Sequence, residues 1–203
     1  EGTTMDAYAG DVLALMAHLE IDRAVIGGLS MGGYVAMAIA RKAPQRVAGL
    51  VLANTRAGAD SAEGLAARDR MIAMLERGGA AAIADEMLPK LLGATTRREQ
   101  GDLEQVVRGL IEINSTDGLV AAVRAMKGRP DSTSSLASMG CPALVISGDE
   151  DAIIGPADTE ALRAAMRGAV HVPLARAGHL TNLEAPNAFN DALSSFLTKE
   201  SCR

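Results

Sequence analysis

Val25-Ile26-Gly27-Gly28-Leu29-Ser30-Met31-Gly32-Gly33 is the stretch that most restricts what this chain can become. Apolar residues run into it, and an alanine-rich, helix-compatible run leaves it. Inside it, Gly28-x-Ser30-x-Gly32 has the spacing of a tight strand-to-helix turn that lifts a serine off the end of a sheet. Such a turn strains the backbone at the serine and brings strand and helix so close that the neighbours must be small. Gly28, Gly32 and Gly33 meet that need. The helix that starts here turns its positive end toward Ser30, and the Met31 N–H is placed to donate to an oxyanion. A glycine-rich turn with an incidental serine gives the same pattern, so its meaning depends on an acid and a histidine downstream.

Periodicity around this stretch predicts alternating helices and strands. Met5, Tyr8, Val12, Met16 and Leu19 recur at helical intervals over 3–19, with Thr3 and Asp6 at capping-box spacing. Residues 23–28 and 47–53 read as buried strands. Between them 31–43 reads as a helix apolar on nearly all sides, stopped by Pro44. This order predicts right-handed crossovers and a parallel sheet.

From 56 to 139 the signals are helical only. Ser61 is a candidate cap, a second helix spans 79–88 and ends near Pro89, Thr96 and Glu99 have capping-box spacing, and Asp117 and Gly128 bracket a last helix. Strand character returns at 142–147, followed by Gly148-Asp149-Glu150-Asp151, a helix over 157–167, a strand over 169–174, a loop with Ala177-Gly178-His179, and a helix over 186–198 begun by Pro186. The chain therefore reads as a core from 1–55 and 140–203, interrupted by an all-helical cap over 56–139. Such an insert most often covers an active site, and its apolar face lines a pocket. Met74, Met87, Leu91 and Met126 are the candidate pocket residues, a flexible apolar set suited to small uncharged substrates.

Composition narrows the partners. The formal net charge of -5 argues against nucleic acid. No apolar run approaches the ~18 residues of a membrane span. Cys141 and Cys202 form no disulfide framework, so a reduced, cytoplasmic setting is expected. No metal or other cofactor is implied.

In parallel α/β sheets, ligands bind beyond the carboxyl ends of the strands. Ser30, Asp149 or Asp151, and His179 each follow a predicted strand, in the chain order Ser, Asp, His. A neutral serine is a poor nucleophile, so a histidine must take its proton and a carboxylate must orient that histidine. His18 lies within a predicted helix and His171 within a predicted strand, where ordinary structural roles are expected. Spacing does not choose between Asp149 and Asp151.

The elbow Gly28-Leu29-Ser30-Met31-Gly32-Gly33, the run Pro142-Ala-Leu-Val-Ile-Ser-Gly-Asp-Glu-Asp151 and Gly178-His179-Leu180 together resemble the landmarks of the α/β-hydrolases. The likeness is nearest to the 3-oxoadipate enol-lactonase-like small esterases and covers nearly the whole chain. In that family the acid is the last Asp of a G-x-x-D pattern, which implies Asp151. The family also carries first strands and a His-Gly type loop that supplies a second oxyanion donor. None of these is among the present 203 residues, so the resemblance implies an N-terminally truncated core with half an oxyanion hole.

The expected function is hydrolysis of a carboxylic ester or lactone through Ser30, His179 and Asp151. Alternatives are acyl transfer, perhydrolysis or C–C hydrolysis on the same triad, or a catalytically incomplete fragment acting as a binding or assembly unit. Strand 23–28 is expected at an open sheet edge, where a second copy or an N-terminal complement would pair.

Overall fold

The computed structural model describes residues 3–201. Four strands form one parallel sheet in sequential order: β1 (Ala24–Leu29), β2 (Val47–Ala53), β3 (Ala143–Gly148) and β4 (Val170–Leu174). When strands follow in order, right-handed crossovers put every connecting helix on the same face. That face carries α1 (Met5–His18), α2 (Met31–Lys42), α7 (Thr133–Ala137) and α8 (Pro156–Ala165). Their buried side chains, among them Met5, Met37, Ile39, Leu136 and Leu162, meet Leu50, Leu52 and Val145 of the sheet. The alternate residues Val51, Leu144 and Ile146 point the other way, onto Phe189, Leu193 and Phe196 of α10 (Pro186–Ser201). Both faces are covered, as the continuous apolar character of β2 and β3 requires.

Among the described residues β1 has a strand neighbour on one side only, which matches the expected edge. A groove of about 340 Å³ runs beside it, lined by Val25, Leu29 and the α10 side chains Phe189 and Leu193.

The cap is built from α3 (Ala62–Leu91), α4 (Ala94–Glu99), α5 (Gly101–Glu112) and α6 (Thr116–Lys127). Leu75 and Ile83 of α3 pack on Val120 and Val123 of α6. Leu88 and Leu92 pack on Val107 of α5. Several local sequence expectations are corrected here. The second cap helix begins, as expected, at a break at Gly79 (φ 65°, ψ -160°), but its expected end near Pro89 is corrected, since it continues through Pro89 to Leu91. Thr96 does not cap a helix; its hydroxyl is taken by Glu184. Ser115, not Asp117, caps α6 by accepting from the Gly118 N–H. The cap ends before residue 139, because α7 buries Leu136 in the core under the sheet. At the chain start the capping hydroxyl is Thr4, which accepts from the Ala7 N–H, while Asp6 pairs with Arg41. Cys202 lies outside the described residues.

The two chain segments that join cap to core are tied by one carboxylate. The Asp60 side chain is fully buried and accepts from Arg129 Nη2 at 3.0 Å, Arg68 Nε at 3.1 Å and Arg56 Nη2 at 2.5 Å. Arg129 also donates to the carbonyls of Gly58 and Met126 and stacks on the Tyr34 ring at 4.1 Å. Burial pushes the Asp60 carboxyl up, but hydrogen bonds and charge from Arg129 and Arg68 outweigh it and lower its pKa to about 2.

Because that pKa lies below the unfolded value, the stability contributed by Asp60 is fully present above about pH 4 and drains as pH falls toward about 2. Asp60→Ala leaves Arg129 buried without its carboxylate and should cost roughly 3–5 kcal/mol at neutral pH. Urea unfolding of both proteins between pH 2 and 7 should show the gap closing at the acid end. A gap independent of pH would contradict the ion-pair account.

Candidate active site

The site forms beyond the carboxyl ends of the strands, beginning at the turn between β1 and α2. Ser30 has φ 53° and ψ -116°, a conformation that costs a non-glycine residue about 1–3 kcal/mol and persists only when its surroundings enforce it. Its N–H donates to the Ala53 carbonyl at 2.9 Å, and its own carbonyl accepts from the Gly33 N–H at 3.0 Å and Thr55 Oγ1 at 2.9 Å. A Cβ on Gly28 would stand 2.1 Å from the Gly32 carbonyl group, and one on Gly33 would stand 2.5 Å from the Thr55 methyl. Gly28 and Gly33 are therefore required by close approach. Gly32 is not: a Cβ there meets nothing within 4 Å, so its expected steric role is corrected. The first N–H groups of a helix have no intrahelical acceptor, and Met31 occupies that first position in α2.

Asp151 follows β3 and His179 follows β4, and the fold joins them. His179 Nδ1 lies 2.9 Å from Asp151 Oδ2 and 3.1 Å from Oδ1, with both side chains almost wholly buried. Asp151 also accepts from the N–H groups of Ile153 at 2.8 Å and Ile154 at 3.0 Å. Burial pushes its carboxyl up, but His179, the Asn54 amide and the Ile154 N–H together hold it below the ordinary carboxylate range. Asp149 instead accepts from the Arg176 N–H at 2.7 Å and takes no part in the pair. His171 pairs with Ser147 Oγ at 2.9 Å, and His18 closes α1, so neither is at the site.

Asn54 links the serine turn to the acid–histidine pair, and sequence reasoning missed it. It follows β2 directly, with φ 47°, a left-handed geometry that asparagine tolerates well. Its amide donates to Asp151 Oδ2 at 2.9 Å and to the Gly178 carbonyl at 3.2 Å, and its Oδ1 accepts from Thr181 Oγ1 at 2.6 Å. The strand-end rule that picked out the other three residues applies to Asn54 equally. The preceding residue, Ala53, receives the Ser30 N–H, so the last residue of β2 and the one after it contact both sides of the site.

A cavity of about 520 Å³ opens between the cap and the core. Met31 lines it from the elbow, and Met71, Leu75, Met87, Leu91 and Met126 line it from the cap. Three of the four expected pocket residues, Met87, Leu91 and Met126, are there. Met74 is not; it packs inside the cap against the Leu75–Val123 cluster. None of the lining residues is charged, and Asn114 supplies the side-chain amide.

Strand order, the strained serine turn and a buried acid–histidine pair beyond later strands define an α/β-hydrolase fold. The sequence profile of the Ndr family matches residues 1–199, and the chain belongs to that family. A thermophilic esterase from Thermogutta terrifontis, solved with malate bound, superposes with TM-score 0.94 at 39% identity, over 98% of this chain and 74% of that one. The enol-lactonase of Burkholderia xenovorans LB400 superposes with TM-score 0.88 at 32% identity, over 98% and 75%. By sequence, 3-oxoadipate enol-lactonase 2 of Acinetobacter baylyi is 27% identical over 197 residues, 96% of this chain and 71% of that protein. These likenesses support a hydrolase.

If the Asp151–His179 contact is what the reaction uses, Asp151→Asn should lower turnover by about 10⁴-fold through the wrong histidine tautomer. Asp149→Asn should change it little. Steady-state rates of the two variants settle the ranking, and a larger loss at Asp149 would overturn it.

Proposed function

We propose that the protein is a serine hydrolase of uncharged carboxylic esters or lactones. The observation that carries this reading is the bond between His179 Nδ1 and Asp151 combined with the strained Ser30 turn tied to the same strand end. In this reading Asp151 fixes the Nδ1–H tautomer, which leaves Nε2 of His179 free to take the proton from Ser30 Oγ. The alkoxide attacks the carbonyl carbon. The Met31 N–H and the positive end of α2 stabilise the oxyanion of the tetrahedral intermediate. His179 returns its proton to the departing alcohol oxygen, and a water activated in the same way releases the acid from the acyl-enzyme. In a lactone the departing oxygen stays tethered, so ring opening gives a single hydroxy acid.

The cavity favours apolar acyl or ring groups, because a buried charge would find no partner on its walls. Names among the relatives are consistent with either ester or lactone cleavage, and acyl transfer or perhydrolysis would need a competing acceptor in place of water. The reading of the chain as a binding or assembly unit predicts an inert Ser30.

Two measurements test the proposal. A fluorophosphonate probe should label the protein, and Ser30→Ala should abolish labelling; labelling that survives the substitution would mean that another residue is the nucleophile. In a panel of esters and small lactones, uncharged substrates with short to medium acyl chains should have the highest kcat/KM. Fastest turnover of multiply charged esters would contradict the role given to the cavity.

A further inference from the structure

Glu184 is buried, at 4% exposure, and no lysine or arginine pairs with it among the described residues. It closes the short helix α9 (Thr181–Glu184), five residues beyond His179. Its carboxylate is nonetheless fully occupied. Oε2 accepts from the Gly93 N–H at 2.8 Å, Thr96 Oγ1 at 2.7 Å and the Gly178 N–H at 2.9 Å, and Oε1 accepts from the Leu180 N–H at 2.9 Å. Two of these donors belong to the cap, at the junction of α3 and α4. The other two flank His179 on either side.

The histidine's own backbone completes the pattern. The His179 N–H donates to the Leu91 carbonyl of the cap at 3.1 Å. Three consecutive N–H groups, 178 to 180, are thus held by Glu184, by the cap and by Glu184 again. The two backbones touch: a Cβ on Gly178 would stand 2.3 Å from the Gly93 nitrogen. Leu180 and Leu183 pack into the cap cluster of Leu88, Leu92 and Val107. The turn that carries Asp151 is seated on the same junction, since Glu150 accepts from the Thr95 N–H at 2.7 Å. Leu91, whose carbonyl holds His179, also lines the apolar cavity.

We infer that Glu184 is a positioning residue that makes the placement of His179 depend on the seating of the cap. The inference rests on the serine-hydrolase reading and adds to it a route by which cavity contents act on the chemical step. A group that fills the cavity against Leu91 presses on the segment that fixes the His179 backbone, so selectivity among acyl groups appears in kcat as well as in KM. A carboxylate suits this place because four donors converge on it. Glutamine has the same shape but presents an NH₂ group to donors, so Glu184→Gln must leave at least one of them unpaired.

The test compares wild type, Glu184→Gln and Thr96→Val. Thr96→Val removes one donor on the cap side alone and leaves every bond on the histidine side. Each protein is measured for thermal midpoint, for kcat and KM with one uncharged ester, and for the second-order rate of fluorophosphonate labelling at Ser30. Misplacement of His179 should lower kcat and the labelling rate together, by about 10- to 100-fold in Glu184→Gln and in the same direction in Thr96→Val, with KM changed much less. If Glu184→Gln fails to fold, Thr96→Val alone carries the comparison. A lowered thermal midpoint with kcat and labelling within about twofold of wild type would show an anchor of the fold only, and the inference would fall. Absence of Ser30 labelling in wild type is a separate result, which removes the hydrolase reading itself.

Discussion

A serine at φ 53° and ψ -116° does not hold itself. The rest of the site depends on how the fold enforces that conformation. Enforcement comes from β2: the Ala53 carbonyl receives the Ser30 N–H, and Thr55 donates to the Ser30 carbonyl. Both contacts require α2 to lie almost on the strand ends, which is possible only with glycine at 28 and 33. The strain is local, of order 1–3 kcal/mol, while the burial of α2 on Leu50 and Leu52 that offsets it is spread over the core. The helix is apolar on nearly every side because it serves as the wedge that presses the turn into place.

The second requirement is to bring together chain segments far apart in sequence. At the strand ends the protein meets it with two buried side chains, Asn54 and Asp151, whose hydrogen-bonding groups are taken. Asn54 has its two donors and its acceptor in use, and Asp151 has four partners. The network also fixes the orientation of the Asn54 amide, since its oxygen turned toward Asp151 would face a carboxylate. An unpaired buried group costs about 1–3 kcal/mol, so each fully used side chain specifies one arrangement of the strand ends and excludes its neighbours.

This division explains what could be read from residues alone. The four strands, α2, the closing helix and the Ser–Asp–His order rest on periodicity and on loops that follow strands, and both are local signals. Thr96 and Glu99 show where local signals mislead. Their spacing fits a capping box, but the Thr96 hydroxyl is more valuable to Glu184, across 88 residues of chain. The same holds for α7, whose short polar sequence hides the single residue, Leu136, that places it under the sheet rather than in the cap. Asp149 and Asp151 are equivalent in spacing. What separates them is the path of the loop after β4, where Arg176, also left-handed at φ 60°, turns its N–H to Asp149 and lets His179 reach Asp151. Spacing within either segment does not encode that meeting.

The cap is held at two places by different physics. At its stem, Asp60 is surrounded by three arginines, an arrangement whose strength depends on charge and is lost in acid. At its tip, Glu184 is surrounded by backbone N–H groups and one hydroxyl, and no lysine or arginine pairs with it among the described residues. Lifting the tip would take the Glu184 carboxylate from the Gly93 N–H and the Thr96 hydroxyl, and the Leu91 carbonyl from the His179 N–H, each at about 1–3 kcal/mol unless water replaces it. Loosening the stem leaves those bonds untouched. The α3–α4 junction is therefore the rigid point of the cap, although it lies farthest along the chain from where the cap leaves the core. The carboxylate bound to this junction also holds the backbone on both sides of His179, while methionines, unbranched and flexible, line the cavity beside it.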